Sequence, residues 1–233
     1  MQVRLIGKTT GLLEYEGKSI DEIITGIARV SSGRDTNDLF TDADKLLRHC
    51  IVNGHWSIFE MANLTFEIKT SRAIGREILR HGKSLNFQEF SQRYQVNSSF
   101  EPIELRKQSK SNRQSSEDIL TDFDDLVNEH IIKSESLYIE LLKNNVAKET
   151  ARFILPETTS TTLVCNGSIR SWITTLNQRL HKTAQKEARL IAEAIRDILI
   201  QEVPVICKAL NNFENAYEVH IMDWLVLNKY GKL

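Results

Sequence analysis

Apolar Ile20, Ile23, Ile24 and Ile27 recur at helical spacing, with Ser19 before them and Glu22 three residues later. That is the pattern of a capping box, and it predicts a first helix running to about Val30. Thr41 and Asp44 repeat the signature ahead of Leu46, Leu47, Cys50 and Ile51. A second helix is expected over 42–52, stopping at Asn53-Gly54, with residues 31–37 as loop between the two. From Asn63 to Lys69 apolar and polar positions alternate, Leu64, Phe66 and Ile68 against Thr65, Glu67 and Lys69, which is the period of a half-buried strand. Ser71 then caps a helix carrying Ile74, Ile78 and Leu79 that ends by Gly82, leaving Arg80 and His81 where the chain leaves it.

Residues 97–118 are rich in Ser, Lys, Gln and Arg with little apolar periodicity, so an exposed, mobile connection is expected. Beyond it, Leu120, Phe123, Val127, Ile131, Leu137 and Leu141 mark one long helix, and Ala184, Ala188, Ile191, Ile195 and Leu199 mark another. At 233 residues the chain suits a single domain, 1–233.

Lys plus Arg (30) nearly balance Asp plus Glu (31), so no bulk basicity is available to hold nucleic acid, and any anion must be bound locally. Three cysteines without CxxC spacing suit buried, reduced thiols rather than a disulfide frame. No zinc-site spacing and no GxGxxG fingerprint occur, so neither a metal nor a Rossmann fold is expected. Met1–Thr10 has no signal-peptide character and no apolar run approaches about 18–20 residues, so a soluble, cytoplasmic protein without membrane contact is expected.

The richest chemistry lies in Arg80–Tyr94, which holds three cations, one imidazole, three amides, two serine hydroxyls and a carboxylate. Arg80, Lys83 and Arg93 have the character of phosphate-binding groups, the arginines as planar forks of donors. Composition alone fits equally a solvated loop. Phe87–Tyr94 reads FQEFSQRY, and the segment resembles the RHRxxSxNxxSxRY signature of the flavin-dependent thymidylate synthases, the ThyX family, in its variant ending FQEFSQRY. Its upstream half departs from that pattern: Gly82-Lys83 stands where the family has one arginine, and Lys83 restores the charge but not the bidentate fork.

Further segments carry the resemblance along most of the chain. Ala28–Ser31 is similar to ARVS, and His55–Glu60 to HxSPFE with Ile58 in place of proline. Ala151–Pro156 is similar to ARxxLP. Ser168–Trp172, Arg179 and Ala184–Glu187 resemble the C-terminal block, with Ser168 and Thr174 in place of two asparagines and Asn166 near enough to replace the first.

The resemblance implies an α+β fold, a small mainly antiparallel sheet covered by long helices. It implies FAD contacts at Ser57, Arg80, His81, Lys83, Glu89, Ser168, Arg170 and Thr174. It places dUMP on Glu77, Arg80, Glu89, Phe90, Ser91, Gln92, Arg93, Arg152 and Arg179. Without it, His55 reads as a structural loop histidine and Arg152 as a surface arginine. Helical geometry adds that Arg170 and Thr174, four apart, share a face, whereas Arg179 lies roughly opposite Arg170.

The activity implied is reductive methylation of dUMP to dTMP, with 5,10-methylenetetrahydrofolate as carbon donor and NADPH reducing FAD, in a homotetramer whose sites are shared between subunits. Arg179 is the implied catalytic residue, a cation beside the uracil ring that stabilises its anionic form. Ser91 has no neighbouring base in the sequence to activate it and is assigned to binding. Two rivals stand beside this reading. One is a related flavin enzyme that hydroxymethylates deoxyuridylate; the other is a non-catalytic nucleotide- or RNA-binding protein using Arg80, Lys83, Arg93 and Arg106-Lys107.

Overall fold

The computed structural model describes residues 1–32 and 39–210, so most of the loop expected at 31–37 lies outside the described residues. Along the chain run β1 (Gln2–Lys8), α1 (Ile20–Arg29), α2 (Ala43–Val52), β2 (Asn63–Ser71), α3 (Arg72–Leu79), β3 (Asn86–Glu89), β4 (Arg106–Gln108), β5 (Ser116–Ile119), α4 (Asp124–Lys143), α5 (Lys148–Ala151), β6 (Ser160–Ser168), α6 (Ile169–Arg179), α7 (Lys186–Glu202) and α8 (Pro204–Ala209). A four-stranded sheet has the order β1-β2-β6-β3, and β4 and β5 form a separate hairpin. Facing pairs give the sheet's sense. Thr65 bonds Asn166, the Ile169 N–H donates to the Ala62 carbonyl, and the Arg72 N–H donates to Thr159. Numbers rise on one side as they fall on the other, so β2 and β6 are antiparallel. The α+β class with a small antiparallel sheet is therefore the observed one.

The described residues divide into two compact units, neither continuous in sequence. One holds Met1–Gln2, Glu67–Arg80 and Phe87–Val164; the other holds Val3–Phe66, His81–Asn86 and the described chain from Cys165 onward.

In the second unit α1 begins as its sequence requires. The Ser19 hydroxyl accepts from the Glu22 N–H and the Glu22 carboxylate accepts from the Ser19 N–H. Ile20, Ile23 and Ile24 turn inward beside Leu47 and Ile51 of α2, all 4% exposed or less. The capping box expected at Thr41 and Asp44 does not form. Asp42, with φ of +51°, stands at the N-cap without a side-chain bond, and the Thr41 carbonyl is taken by the Arg29 guanidinium. The left-handed residue between Thr41 and the helix removes Thr41 from capping position. Helix α8 is begun from afar: the Asp21 carboxylate, 2% exposed, accepts the N–H groups of Val205 and Ile206 at 3.0 and 3.1 Å.

In the first unit the segment expected to be irregular, 97–118, contains most of the β4–β5 hairpin. Its strand residues are largely exposed on both faces, so no apolar alternation announces it. Side chains hold it instead: Ser109 donates to Glu117 at 2.6 Å, and the Gln108 amide reaches the Asn112 and Ser115 carbonyls. Helix α4 buries only Ser134 and Tyr138, leaving Leu126 and Ile132 about three-fifths exposed.

Candidate active site

In the second unit, Ser168 closes β6 and caps α6. Its hydroxyl accepts the Ser171 N–H at 3.1 Å and donates to Glu60 Oε2. Glu60 Oε1 also meets the Arg170 guanidinium at 3.3 Å, so one carboxylate orients both residues. Thr174 lies exposed one turn on, its hydroxyl donating to the Arg170 carbonyl at 3.0 Å, and the shared face expected of the two is observed. Ser57 sits in the short 3-10 helix Trp56–Glu60 and lines an open cavity of about 550 Å³ with Arg29, Lys45, His49 and His55.

At the other end of α6, Arg179 Nε donates to Nε2 of buried His81 at 2.8 Å. Arginine has no lone pair to offer, so Nε2 is the acceptor and the imidazole is neutral in this contact. The turn that follows is fastened at the His81 carbonyl, which receives the N–H groups of Ser84 and Leu85 at 2.9 Å and the Ser84 hydroxyl at 3.1 Å. Leu85, 2% exposed, packs on Gly167, where a Cβ would lie 2.3 Å from Leu85 Cδ2. Only glycine admits that approach. Gly82 and Lys83 form the exposed tip of the turn.

In the first unit, α3 ends with Arg80 exposed and paired to Glu77 at 3.2 Å. On β3, Glu89 Oε1 accepts the Thr161 hydroxyl at 2.8 Å and meets Arg72 at 3.3 Å. Phe90 is fixed through its backbone, its N–H on the Thr162 carbonyl and its own carbonyl on Arg72. The Ser91 carbonyl receives the N–H groups of Tyr94 and Gln95, and its hydroxyl receives that of Arg93. Gln92 is 3% exposed, and its Nε2 has no hydrogen-bond partner among the described residues. Arg93 and Arg152 come together at Glu149, the first on its carboxylate at 3.5 Å, the second on its carbonyl at 3.3 Å.

Four residues at these sites went unassigned in the sequence: Glu60, Arg72, Glu149 and Thr161. Glu60 and Glu149 could have been found from their places, one closing the His55–Glu60 segment and the other one turn before Arg152. Arg72 and Thr161 lie 17 and 72 positions from Glu89, where spacing carries no signal. Arg106 is tied to Glu104 and Ser116, and Lys107 lies 3.8 Å from Asp118, so two cations of the RNA-binding rival are neutralised within the hairpin. Burial pushes the thiols of Cys165 and Cys207 up to about 12 and raises that of Cys50, so none is poised as a thiolate. Among the described residues, no group of three or more His, Cys, Asp or Glu is placed to hold a metal ion, and no helix is long and apolar enough to cross a membrane.

Residues 11–205 match the family described as thymidylate synthase complementing protein, Thy1. A flavin-dependent thymidylate synthase from Synechocystis is 43% identical over 220 residues, 90% of this chain and 99% of the relative. The chain belongs to the flavin-dependent thymidylate synthase family. It is accordingly an enzyme of the methyltransferase type. A probable flavin-dependent thymidylate synthase of Paramecium bursaria Chlorella virus 1 is 40% identical over 217 residues, 91% of this chain and 99% of that one. Among solved structures, the UMP/dUMP methylase PolB from Streptomyces cacaoi, bound with 5-Br dUMP, superposes with a TM-score of 0.77 at 25% identity, covering 94% of this chain and 97% of PolB.

Proposed function

We propose that this chain, acting as one catalytic domain, methylates dUMP to dTMP, with FAD as cofactor, 5,10-methylenetetrahydrofolate as carbon donor and NADPH as reductant. The observation that carries the reading is the end-to-end likeness to a relative named for that activity. The three buried thiols agree with it, because a mechanism without an enzymic cysteine leaves nothing for them to do. They also suit the reducing cytoplasm in which we place the enzyme.

The donor set of the second unit suits a flavin nucleotide. Ser57, Ser168 and Thr174 offer hydroxyls, Arg170 a guanidinium, and Arg29 and Lys45 add positive charge at the cavity beside Ser57. The family resemblance adds Arg80, His81, Lys83 and Glu89 to the proposed FAD contacts. FAD supplies the hydride chemistry that no side chain can.

For dUMP, Arg93 is held by the Glu149 carboxylate ready to exchange an exposed ion pair for a phosphate, with Arg152 placed beside it on the Glu149 carbonyl, and Arg80 does the same as Arg93 from Glu77. The unsatisfied Gln92 amide, with Glu77, Glu89, Phe90 and Ser91, supplies the neutral and acidic contacts. Arg179 holds positive charge against the uracil carbonyls, which favours the ring anion whose C5 attacks carbon. The exposed apolar residues of α4 suit burial against further copies, supporting a homotetramer with shared sites.

The test is dTMP formation by purified protein with each of dUMP, methylenetetrahydrofolate, NADPH and FAD omitted in turn. Strict dependence on all four is expected. Flavin binding and NADPH oxidation without dTMP would replace this reading with the hydroxymethylating one. A second substrate is worth the same assay: PolB is described as acting on UMP as well as dUMP, and turnover of UMP would extend the reading to ribonucleotides.

A further inference from the structure

We infer that His81 is a positioning residue for Arg179, which it holds through its ring Nε2 at the end of α6. The inference rests on the role proposed for Arg179 and goes beyond it, by naming what fixes the guanidinium. An arginine at a helix end has several rotatable bonds, and a guanidinium that must face a small ring gains by being held before the substrate arrives. The 2.8 Å bond from Arg179 Nε to His81 Nε2 occupies the Nε edge of the guanidinium and restricts its plane. The acceptor is itself immobile. Its backbone carbonyl receives three hydrogen bonds from the turn that follows, and that turn is seated by Leu85 on Gly167, two residues before the start of α6. Both partners are thus referred to one frame: Arg179 through the body of α6, and His81 through the 81–85 turn packed beside the helix's first residues. Gly82-Lys83, where this chain departs from the family signature, forms the tip of the same turn and leaves its two fastenings intact.

His81→Ala, His81→Gln, Arg179→Ala and the double variant His81→Ala/Arg179→Ala test this, with kcat, KM for dUMP and bound flavin measured for each. His81→Ala is expected to lower kcat about 10- to 100-fold even with FAD added to saturation, so that loss of its own flavin contact does not account for the fall, the scale of a misplaced catalytic group. Gln, whose amide oxygen can accept from Arg179, is expected to restore most of that loss. In the Arg179→Ala background, removal of His81 is expected to cost less than about twofold, since partners in one contact are not additive. Full recovery of turnover in His81→Ala at saturating FAD, failure of Gln to restore turnover, or a full second loss in the double variant would each overturn the inference. Unchanged turnover in Arg179→Ala would instead remove the role given to Arg179, and that result is distinguishable because it needs no change at His81.

Discussion

Strands β2 and β6 are both nine residues long, end in a buried serine and run straight into a helix, with nearly the same burial pattern. The helices they launch are built differently. Four residues after Ser168 comes Trp172, wholly buried, its ring edge-on to Phe66 at 4.8 Å and its indole N–H on the Leu64 carbonyl. Four residues after Ser71 comes Gly75, where an added Cβ would lie 3.2 Å from Thr161 and 3.6 Å from Leu163. One helix stands off its sheet on an indole; the other lies almost on the strand. Their starts differ too. Ser168 caps α6 with its own hydroxyl, whereas Ser71 makes no such bond and its N–H is met at 2.7 Å by the distant Glu101 carboxylate. The serine alone does not decide how a helix begins; what packs four residues later and which remote acid is within reach do.

The largest break in this comparison should come from Trp172→Ala, expected to cost about 3–5 kcal/mol through the cavity and the orphaned Leu64 carbonyl, read by urea unfolding.

Helix α8 extends the contrast as a third start, served by remote Asp21. Burial raises the Asp21 carboxyl from 3.8 to about 6, against the hydrogen bonds from Val205 and Ile206. The folded state therefore keeps its proton where the unfolded chain has released it, so this contribution is complete below about pH 4 and is lost as pH rises through about 6. Stability should fall by up to about 3 kcal/mol across that window, and Asp21→Asn should flatten the difference in unfolding free energy between pH 4 and 7.

Glu101→Ala leaves the Ser71 N–H and the Thr70 hydroxyl, both buried, without their acceptor. A cost of about 1–3 kcal/mol is expected, against about 0.5–2 for loss of the local cap in Ser168→Ala. Equal costs in thermal unfolding would erase the distinction between remote and local starts. The smallest change in stability belongs to Gly75→Ala, within about 1 kcal/mol, because helix propensity gained offsets the close contact. Its effect should appear in KM for dUMP, since Thr161, which must give way, holds Glu89.

Much of this was legible before the structure. The Ser19–Glu22 box, the alternation of β2 and the shared face of Arg170 and Thr174 all appear where the residue pattern put them. These are local rules, satisfied within one or two turns. Strand β6 was harder to read, because its inward positions Thr161, Leu163, Cys165 and Gly167 mix a hydroxyl, a thiol and a glycine with one large apolar residue. The β4–β5 hairpin buries too little to leave an apolar imprint at all. At the site, residue types announced themselves in Arg80–Tyr94, but partners did not: Arg179 and His81 are 98 positions apart, and only the fold brings them to 2.8 Å.

The buried thiols reach beyond catalysis. Oxidants and alkylating agents attack thiolates, and here burial raises the pKa of all three thiols, Cys165 and Cys207 to about 12 and Cys50, at the wall of the cavity beside Ser57, in the same direction. A burst of peroxide that silences enzymes dependent on an exposed nucleophilic sulfur is expected to find no ready thiolate among these three.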